Sequence, residues 1–318
     1  MLKFLRILVF TSGKRRVSAI SPTIRCPIGP HPQTSCKGNK IRINRKTGSH
    51  FFPRTESISG RRAATIKEGS ALQFLITFFN TAKFWVVITL LSIFLGICCL
   101  LAVCVDRSGN TSHRISSLWA RWLCKLNGIQ VEITGLENIL KDRAQIFVAN
   151  HQGFFDIFAL SGYLPVQIRW VAKASLFRIP FVGWSMKAAG YISVDRSNTK
   201  KAYQSFVATV EKIKQGYSVV IFPEGTRSQD GTIGPFKKGG HLLAVRAKAP
   251  MVPLTLIGTG NIIKKKSLII KPGPVRIIIS PPVFTDTSTS RNKNGERILE
   301  GIRQTIYNTY DENTRKKR

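Results

Sequence analysis

The sequence predicts an α/β domain: a mixed, mostly parallel sheet flanked by helices, preceded by an N-terminal membrane-anchoring helical segment. Three observations carry this. From about Ile115 onward, short apolar runs alternate with stretches whose apolar residues recur at helical spacing, the pattern of strands joined by crossover helices. Phe84–Val105 is a run of 22 residues without a charge, long enough to cross a bilayer as a helix. Chemically distinctive residues gather directly after several of the apolar runs, where open α/β sheets collect their ligands.

Residues 1–70 read unlike the rest. They hold 15 basic and 2 acidic residues and are punctuated by Pro22, Pro27, Pro30, Pro32 and Pro53. No apolar periodicity persists, so little of the segment could repay its ordering entropy. It is read as a disordered basic extension. The composition fits an organellar transit peptide; a mis-assigned start, with the stretch outside the mature protein, explains it equally. Leu2–Phe10 is apolar in flavour, but Lys3 and Arg6 interrupt any signal-peptide core.

Residues 71–107 are read as the membrane anchor. Lys83 precedes the uncharged run, and Asp106 and Arg107 follow it. Ala71–Ala82 is also apolar, so two shorter helices forming a re-entrant anchor fit as well as one span. Basic residues on both sides (Arg61, Arg62 and Lys67; Arg107, Arg114 and Arg121) leave the orientation open.

Residues 115–312 form the α/β domain. Gln145–Ala149, Ile168–Ala172, Tyr191–Val194, Ser218–Phe222 and Met251–Ile257 read as strands. Ala202, Phe206, Val210 and Ile213 mark a helix with Lys and Gln opposite. Leu268–Lys271 and Val275–Ser280 flank Pro272-Gly273-Pro274 and predict a β pair. Ile298, Ile302 and Ile306 stripe a closing helix before a basic tail, residues 313–318.

The chain carries 49 Lys+Arg against 16 Asp+Glu, a net charge of +33. Such a field attracts polyanions without choosing among nucleic acid, anionic headgroups and phosphorylated metabolites. No aromatic-rich strand motif, helix-turn-helix or zinc pattern accompanies the charge. No nucleic acid is therefore expected as a partner; a basic, membrane-associated nucleic-acid-binding protein is the rival from another class. The six cysteines show no CxxC or Cys/His ligand spacing, which fits reduced thiols and no metal site.

Two segments carry chemistry. Asn150-His151-Gln152-Gly153-Phe154-Phe155-Asp156 follows a buried strand. Residues five apart on one helix point about 140° from each other. His151 and Asp156 can meet only if the histidine sits on the strand-to-helix turn and the aspartate in the first helical turn. Gly153 eases that turn. A carboxylate on one imidazole nitrogen fixes the tautomer and leaves the other nitrogen to take a proton. With no nucleophilic Ser or Cys nearby in sequence, the pair reads as a general base acting directly on a substrate hydroxyl. Phe222-Pro223-Glu224-Gly225-Thr226-Arg227-Ser228 follows a second strand. Arg227 suits a phosphate, gripped by two parallel hydrogen bonds; a surface ion pair is the bland alternative. Gly190–Arg196 and Ala249–Leu254 add a second arginine and a proline-framed strand, in one order along the chain.

These four segments resemble the glycerolipid acyltransferase family, and within it the 1-acylglycerol-3-phosphate O-acyltransferases. Asn150, His151 and Asp156 match the family's NHxxxxD block, Phe222–Ser228 matches FPEGTRS in full, and Gly190–Arg196 and Val252-Pro253-Leu254 are similar to its second and fourth blocks. The stretch from Lys173 through Pro180 to Gly183 and Trp184 is also similar, with Ser175 standing where members often carry an acid. The resemblance covers roughly Ile115–Val283 and the apolar anchor ahead of it. It implies that His151 deprotonates the acceptor hydroxyl, that Asp156 orients it, and that no covalent acyl-enzyme forms. Glu224, Gly225, Thr226 and Arg227 would shape the acceptor site, Arg227 on the phosphate, with Lys173 and Arg196 as helpers. The implied partners are lysophosphatidic acid, acyl-CoA or acyl-carrier protein, and membrane lipid; no metal or cofactor is implied. Glycerol 3-phosphate or another lysolipid is the alternative acceptor. A bacterial inner membrane (cytoplasmic face) and a plastid envelope both fit as its location.

Other polar residues read as bland. His241 is expected to be solvated, and His113 to be an interfacial polar residue between anchor and domain. Lys264–Lys266 reads as a solvated loop that could also meet anionic headgroups. Trp119 and Trp122 read as interfacial anchors and Trp170 as core.

Overall fold

A computed structural model of the chain describes residues 58–195, 198–228, 231–264, 267–284 and 292–315. Contacts divide the chain near Leu72, and Gln73–Arg318 falls in one compact unit.

Helix α1 runs unbroken over Ile58–Val105. Its stretch Ala71–Val105 is long and apolar enough to cross a membrane. Lys83 does not interrupt it, so a re-entrant pair is not what forms. Phe84, Ile88, Leu95, Cys99 and Ala102 line one side and are buried, at the spacing that puts residues on one helical face. The other side leaves Phe74 70%, Phe79 66% and Leu101 65% exposed. An apolar stripe of that extent is rare on a soluble monomer; the hydrocarbon of a bilayer suits it.

Asp106 closes the turn after α1. Its carboxylate accepts the Ser108 hydroxyl at 2.5 Å, the Thr111 N–H at 2.7 Å and the Ser108 N–H at 2.8 Å, and these bonds, the hydroxyl first, hold it below the usual carboxylate range. Helix α2 (Asn110–Leu126) follows and packs on α3 (Phe155–Tyr163), with Trp119 edge-on to Phe158 and Trp122 left exposed. Arg169 ties the α1–α2 turn to the sheet. It is wholly buried, with its guanidinium 4.2 Å over the Tyr217 ring and 2.6 Å from Asn110 Oδ1.

The sheet has seven strands in the order β1-β7-β6-β2-β5-β3-β4: β1 Val131–Thr134, β2 Ile146–Ala149, β3 Ile168–Lys173, β4 Ile192–Val194, β5 Ser218–Ile221, β6 Met251–Ile257 and β7 Val275–Ile279. Every pairing is parallel except β6–β7. Central β2 is buried at all four positions, as a strand covered on both faces must be. The mixed, mostly parallel sheet that the alternating pattern predicts is the one formed. The expected hairpin about Pro272-Gly273-Pro274 is not: β7 pairs with β6 and β1, and the preceding stretch reaches back to α1. Leu268 O accepts the Trp85 indole N–H at 3.0 Å, and Ile270 N–H donates to Thr81 Oγ1 at 3.3 Å. Helices α4 (Val182–Ala188), α5 (Thr199–Lys214), α6 (Gly239–Ala247), the single turn α7 (Thr259–Ile262) and α8 (Asn292–Arg315) complete the domain. His241 lies against α8, its ring where any side chain at Gly295 would stand.

His113 departs from expectation: it is buried rather than interfacial. Nδ1 meets the Tyr191 hydroxyl at 2.9 Å, and Nε2 accepts the Ile168 N–H at 3.4 Å. Burial, helped by the Arg169 charge, depresses its pKa to about 4. Between pH 6.5 and 4 the unfolded chain therefore binds the proton that the folded one refuses, so stability falls as pH drops through that window, by about 3 kcal/mol from this group. Urea unfolding of detergent-solubilised protein at pH 7 and pH 4 checks this: His113→Gln should flatten the pH dependence by that amount, and an equal slope in both proteins contradicts it.

Candidate active site

The parallel pairing of β2 with β5 builds the site. Val148 lies opposite Ile221, so both chains leave the sheet at one edge and side by side. Asn150 keeps the β2 chain in place after the strand ends. Its side chain donates to Leu256 O at 3.0 Å and accepts Leu256 N–H at 2.7 Å, so a side-chain amide continues the ladder where the main chain turns away. Gly153 does not need a positive φ there. It is required by contact instead: a Cβ would stand 2.5 Å from Thr259 O.

His151 sits on the turn, and Asp156 is the second residue of α3. Their contact is Nδ1 to Oδ2 at 2.6 Å. Asp156 is wholly buried while the His151 side chain keeps 18% of its surface, so the imidazole is reachable and its partner is not. The same Oδ2 accepts the N–H groups of Gln152 at 2.8 Å and Gly153 at 2.9 Å. Three donors on one oxygen fix that carboxylate, and through it the tautomer: Nδ1 carries the proton and Nε2 accepts one.

The loop after β5 lies against this turn. The Phe222 ring stacks on the His151 imidazole, centroids 4.1 Å apart at 15°. Glu224 is buried; Oε1 accepts the His151 backbone N–H at 2.7 Å, and Oε2 accepts the Gly234 N–H at 3.0 Å. Burial raises the Glu224 pKa, against the pull of those two N–H groups. Ser228 N–H donates to His151 O at 2.8 Å. Gly225 has a φ of 75°, a left-handed conformation that a glycine adopts without a Cβ clash. Thr226 is exposed and Arg227 half-buried. Burial is the main influence lowering the Arg227 pKa, and the Asp156 charge opposes it.

Lys173 ends β3, exposed and level with Val194 of β4, at the same edge of the sheet. Arg196 lies outside the described residues. The geometry thus brings together His151, Asp156, Glu224, Gly225, Thr226 and Arg227, with Lys173 two strands from β2. Phe222 and Ser228 are partners of His151 that reading the motifs did not single out. An aromatic ending the strand next to the histidine's own strand is the signal that could have found the first. Among the described residues no cluster of three metal-ligating side chains occurs.

Residues 130–257 match the Acyltransferase family model. The chain is 38% identical over 193 residues to a chloroplastic 1-acyl-sn-glycerol-3-phosphate acyltransferase of Brassica napus, covering 58% of this chain and 56% of that one. It is 35% identical over 188 residues to the 1-acyl-sn-glycerol-3-phosphate acyltransferase of Saccharomyces cerevisiae, covering 58% and 61%. The match thus spans less than two thirds of either relative's length. The crystal structure of PlsC, the 1-acyl-sn-glycerophosphate (LPA) acyltransferase of Thermotoga maritima, superposes with a TM-score of 0.62 at 27% identity, over 74% of this chain and 96% of that one. Sheet topology and relatives agree: residues 130–257 form an Acyltransferase-family domain, similar over that region to proteins named 1-acyl-sn-glycerol-3-phosphate acyltransferases.

Proposed function

We propose that this chain transfers a fatty acyl group from a thioester to the free hydroxyl of 1-acylglycerol 3-phosphate, giving phosphatidic acid at a membrane surface. The observation that carries the reading is the 2.6 Å contact between His151 Nδ1 and the buried Asp156, set beside an arginine-bearing loop in a chain whose relatives bear that activity in their names. His151 Nε2 takes the proton as the acceptor oxygen attacks the thioester carbonyl. The carbon–sulfur bond breaks, an ester forms, and the leaving thiolate takes that proton from the imidazolium, restoring neutral His151. Asp156 balances the charge that the imidazole acquires in that step. Arg227 holds the acceptor phosphate, Thr226 and Gly225 border it, and Lys173 and Arg196 add positive charge at the rim. The donor is acyl-CoA or acyl-carrier protein. The α1 helix keeps the site at the bilayer, where the acceptor lies. The Brassica napus and Arabidopsis thaliana relatives, chloroplastic by name, favour a plastid envelope over a bacterial inner membrane.

Membranes carrying the chain, given lysophosphatidic acid, glycerol 3-phosphate and other lysolipids in turn with a labelled donor, test the acceptor. Lysophosphatidic acid should be used with the highest kcat/KM; preference for glycerol 3-phosphate overturns the reading. Arg227→Ala should raise the KM for lysophosphatidic acid about 10- to 100-fold with kcat little changed, since a hydrogen-bonded charge pair contributes about 1.5–3 kcal/mol. An unchanged KM removes Arg227 from the phosphate.

A further inference from the structure

The loop after β5 makes three separate contacts with one residue. Phe222 covers the face of the His151 ring, Glu224 accepts its backbone N–H, and Ser228 N–H donates to its backbone carbonyl. Behind Phe222 stands Trp170, nearly parallel at 6.0 Å and 17°. Its indole N–H is pinned to Ser161 Oγ at 2.8 Å, on the helix that carries Asp156. The imidazole is thus the outer member of a three-ring stack whose far end is anchored in α3.

A hydrogen bond at Nδ1 fixes one direction of an imidazole but not its plane. Rotation about that direction sweeps Nε2 sideways, away from any hydroxyl it must deprotonate. A flat ring 4.1 Å away removes that freedom. The backbone contacts from Glu224 and Ser228 fix the point from which the side chain springs. Both Glu224 oxygens are engaged by amides of the enzyme itself, one on His151 and one on Gly234.

We infer that Phe222 and Glu224 are positioning residues for the histidine base rather than parts of the acceptor pocket, so that this segment divides its labour: 222 and 224 set the base, and 226 and 227 meet the substrate. The inference rests on the reading of His151 as the base of acyl transfer. A base misplaced by about 1 Å loses about 10²-fold in rate. Phe222→Ala should therefore lower kcat about 100-fold while the lysophosphatidic acid KM stays within about 2-fold. Phe222→Tyr keeps a flat ring and should restore kcat to within about 3-fold of wild type, whereas Phe222→Leu fills space without a plane and should stay about 10-fold down or lower. Glu224→Gln offers one oxygen for two N–H groups and should lower kcat about 10-fold with KM unchanged.

Activity alone would confound this inference with the function it rests on, so the histidine ring is also observed directly. In side-chain proton–carbon spectra of histidine-labelled full-length protein in micelles, His151→Ala assigns the resonance among the 5 histidines. The ring current of a stacked neighbour should shift the His151 ring protons upfield. That shift should vanish in Phe222→Ala and persist in Phe222→Tyr, whether or not lysophosphatidic acid is the acceptor. A raised acceptor KM with kcat retained in Phe222→Ala or Glu224→Gln overturns the inference; so does Phe222→Leu restoring kcat as fully as Phe222→Tyr, or a His151 resonance indifferent to residue 222. A wild-type protein that shows the upfield shift but does not acylate lysophosphatidic acid would sink the function and leave the stack standing.

Discussion

Replacing His151 by alanine is expected to lower phosphatidic acid formation at least about 10³-fold, near the top of the range for removing a general base. The deletion is structurally mild. The ring is partly exposed, and the contacts that hold the turn are made by backbone groups of residue 151 and by Asp156 with Gln152 and Gly153. The variant should fold, remain in the membrane fraction and bind acceptor with a Kd close to wild type, so the loss should fall on kcat. Rates within about 10-fold of wild type would mean that another group takes the proton.

Asp156→Asn should cost about 10²- to 10⁴-fold in kcat, and for a different reason. Oδ2 receives three donors: the imidazole Nδ1–H and two backbone amides. An asparagine can meet them with its oxygen, but its NH2 group is then buried and the imidazolium formed during transfer loses its counter-charge. Turned the other way, NH2 faces two N–H donors and forces the histidine into the wrong tautomer; the equivalent change in Ser-His-Asp enzymes costs about 10⁴. Asp156→Ala goes further, leaving two buried amides unpaired at roughly 1–3 kcal/mol each, and should also lower the melting temperature. A kcat for Asp156→Asn within about 10-fold of wild type would contradict the assignment.

Much of this site is legible in the sequence because its geometry is local. A histidine ending a strand and an aspartate opening the next helix can meet in essentially one way. Gly225 before an exposed threonine and an arginine marks a turn whatever the rest of the sheet does. The apolar part of α1, Ala71–Val105, is legible for the same reason, since its length needs no partner to be read, whereas the helix's start at Ile58 lies in the stretch read as disordered. What stays hidden is set by pairing across the sheet. Val131–Thr134 alternates half-buried and exposed positions over only four residues, too short a pattern to stand out before β7 pairs with it. Leu268–Lys271 has the composition of a strand, yet no neighbour offers it an edge. His113 lies on a polar-looking helix, and the Tyr191 and Ile168 contacts that go with its burial come from residues far along the chain. Glu224 looks like an acceptor residue in its motif, and Phe222 is not singled out there; only the parallel pairing of β2 with β5 brings both against His151.

The most direct trial of the whole account follows a labelled acyl chain. Purified full-length protein in phospholipid micelles would receive radiolabelled acyl thioester with and without lysophosphatidic acid. The label should pass to the previously free hydroxyl of the glycerol, with none retained on the polypeptide when acceptor is withheld. Label fixed on the protein, or released only as free fatty acid in the presence of acceptor, would contradict direct transfer by a histidine base.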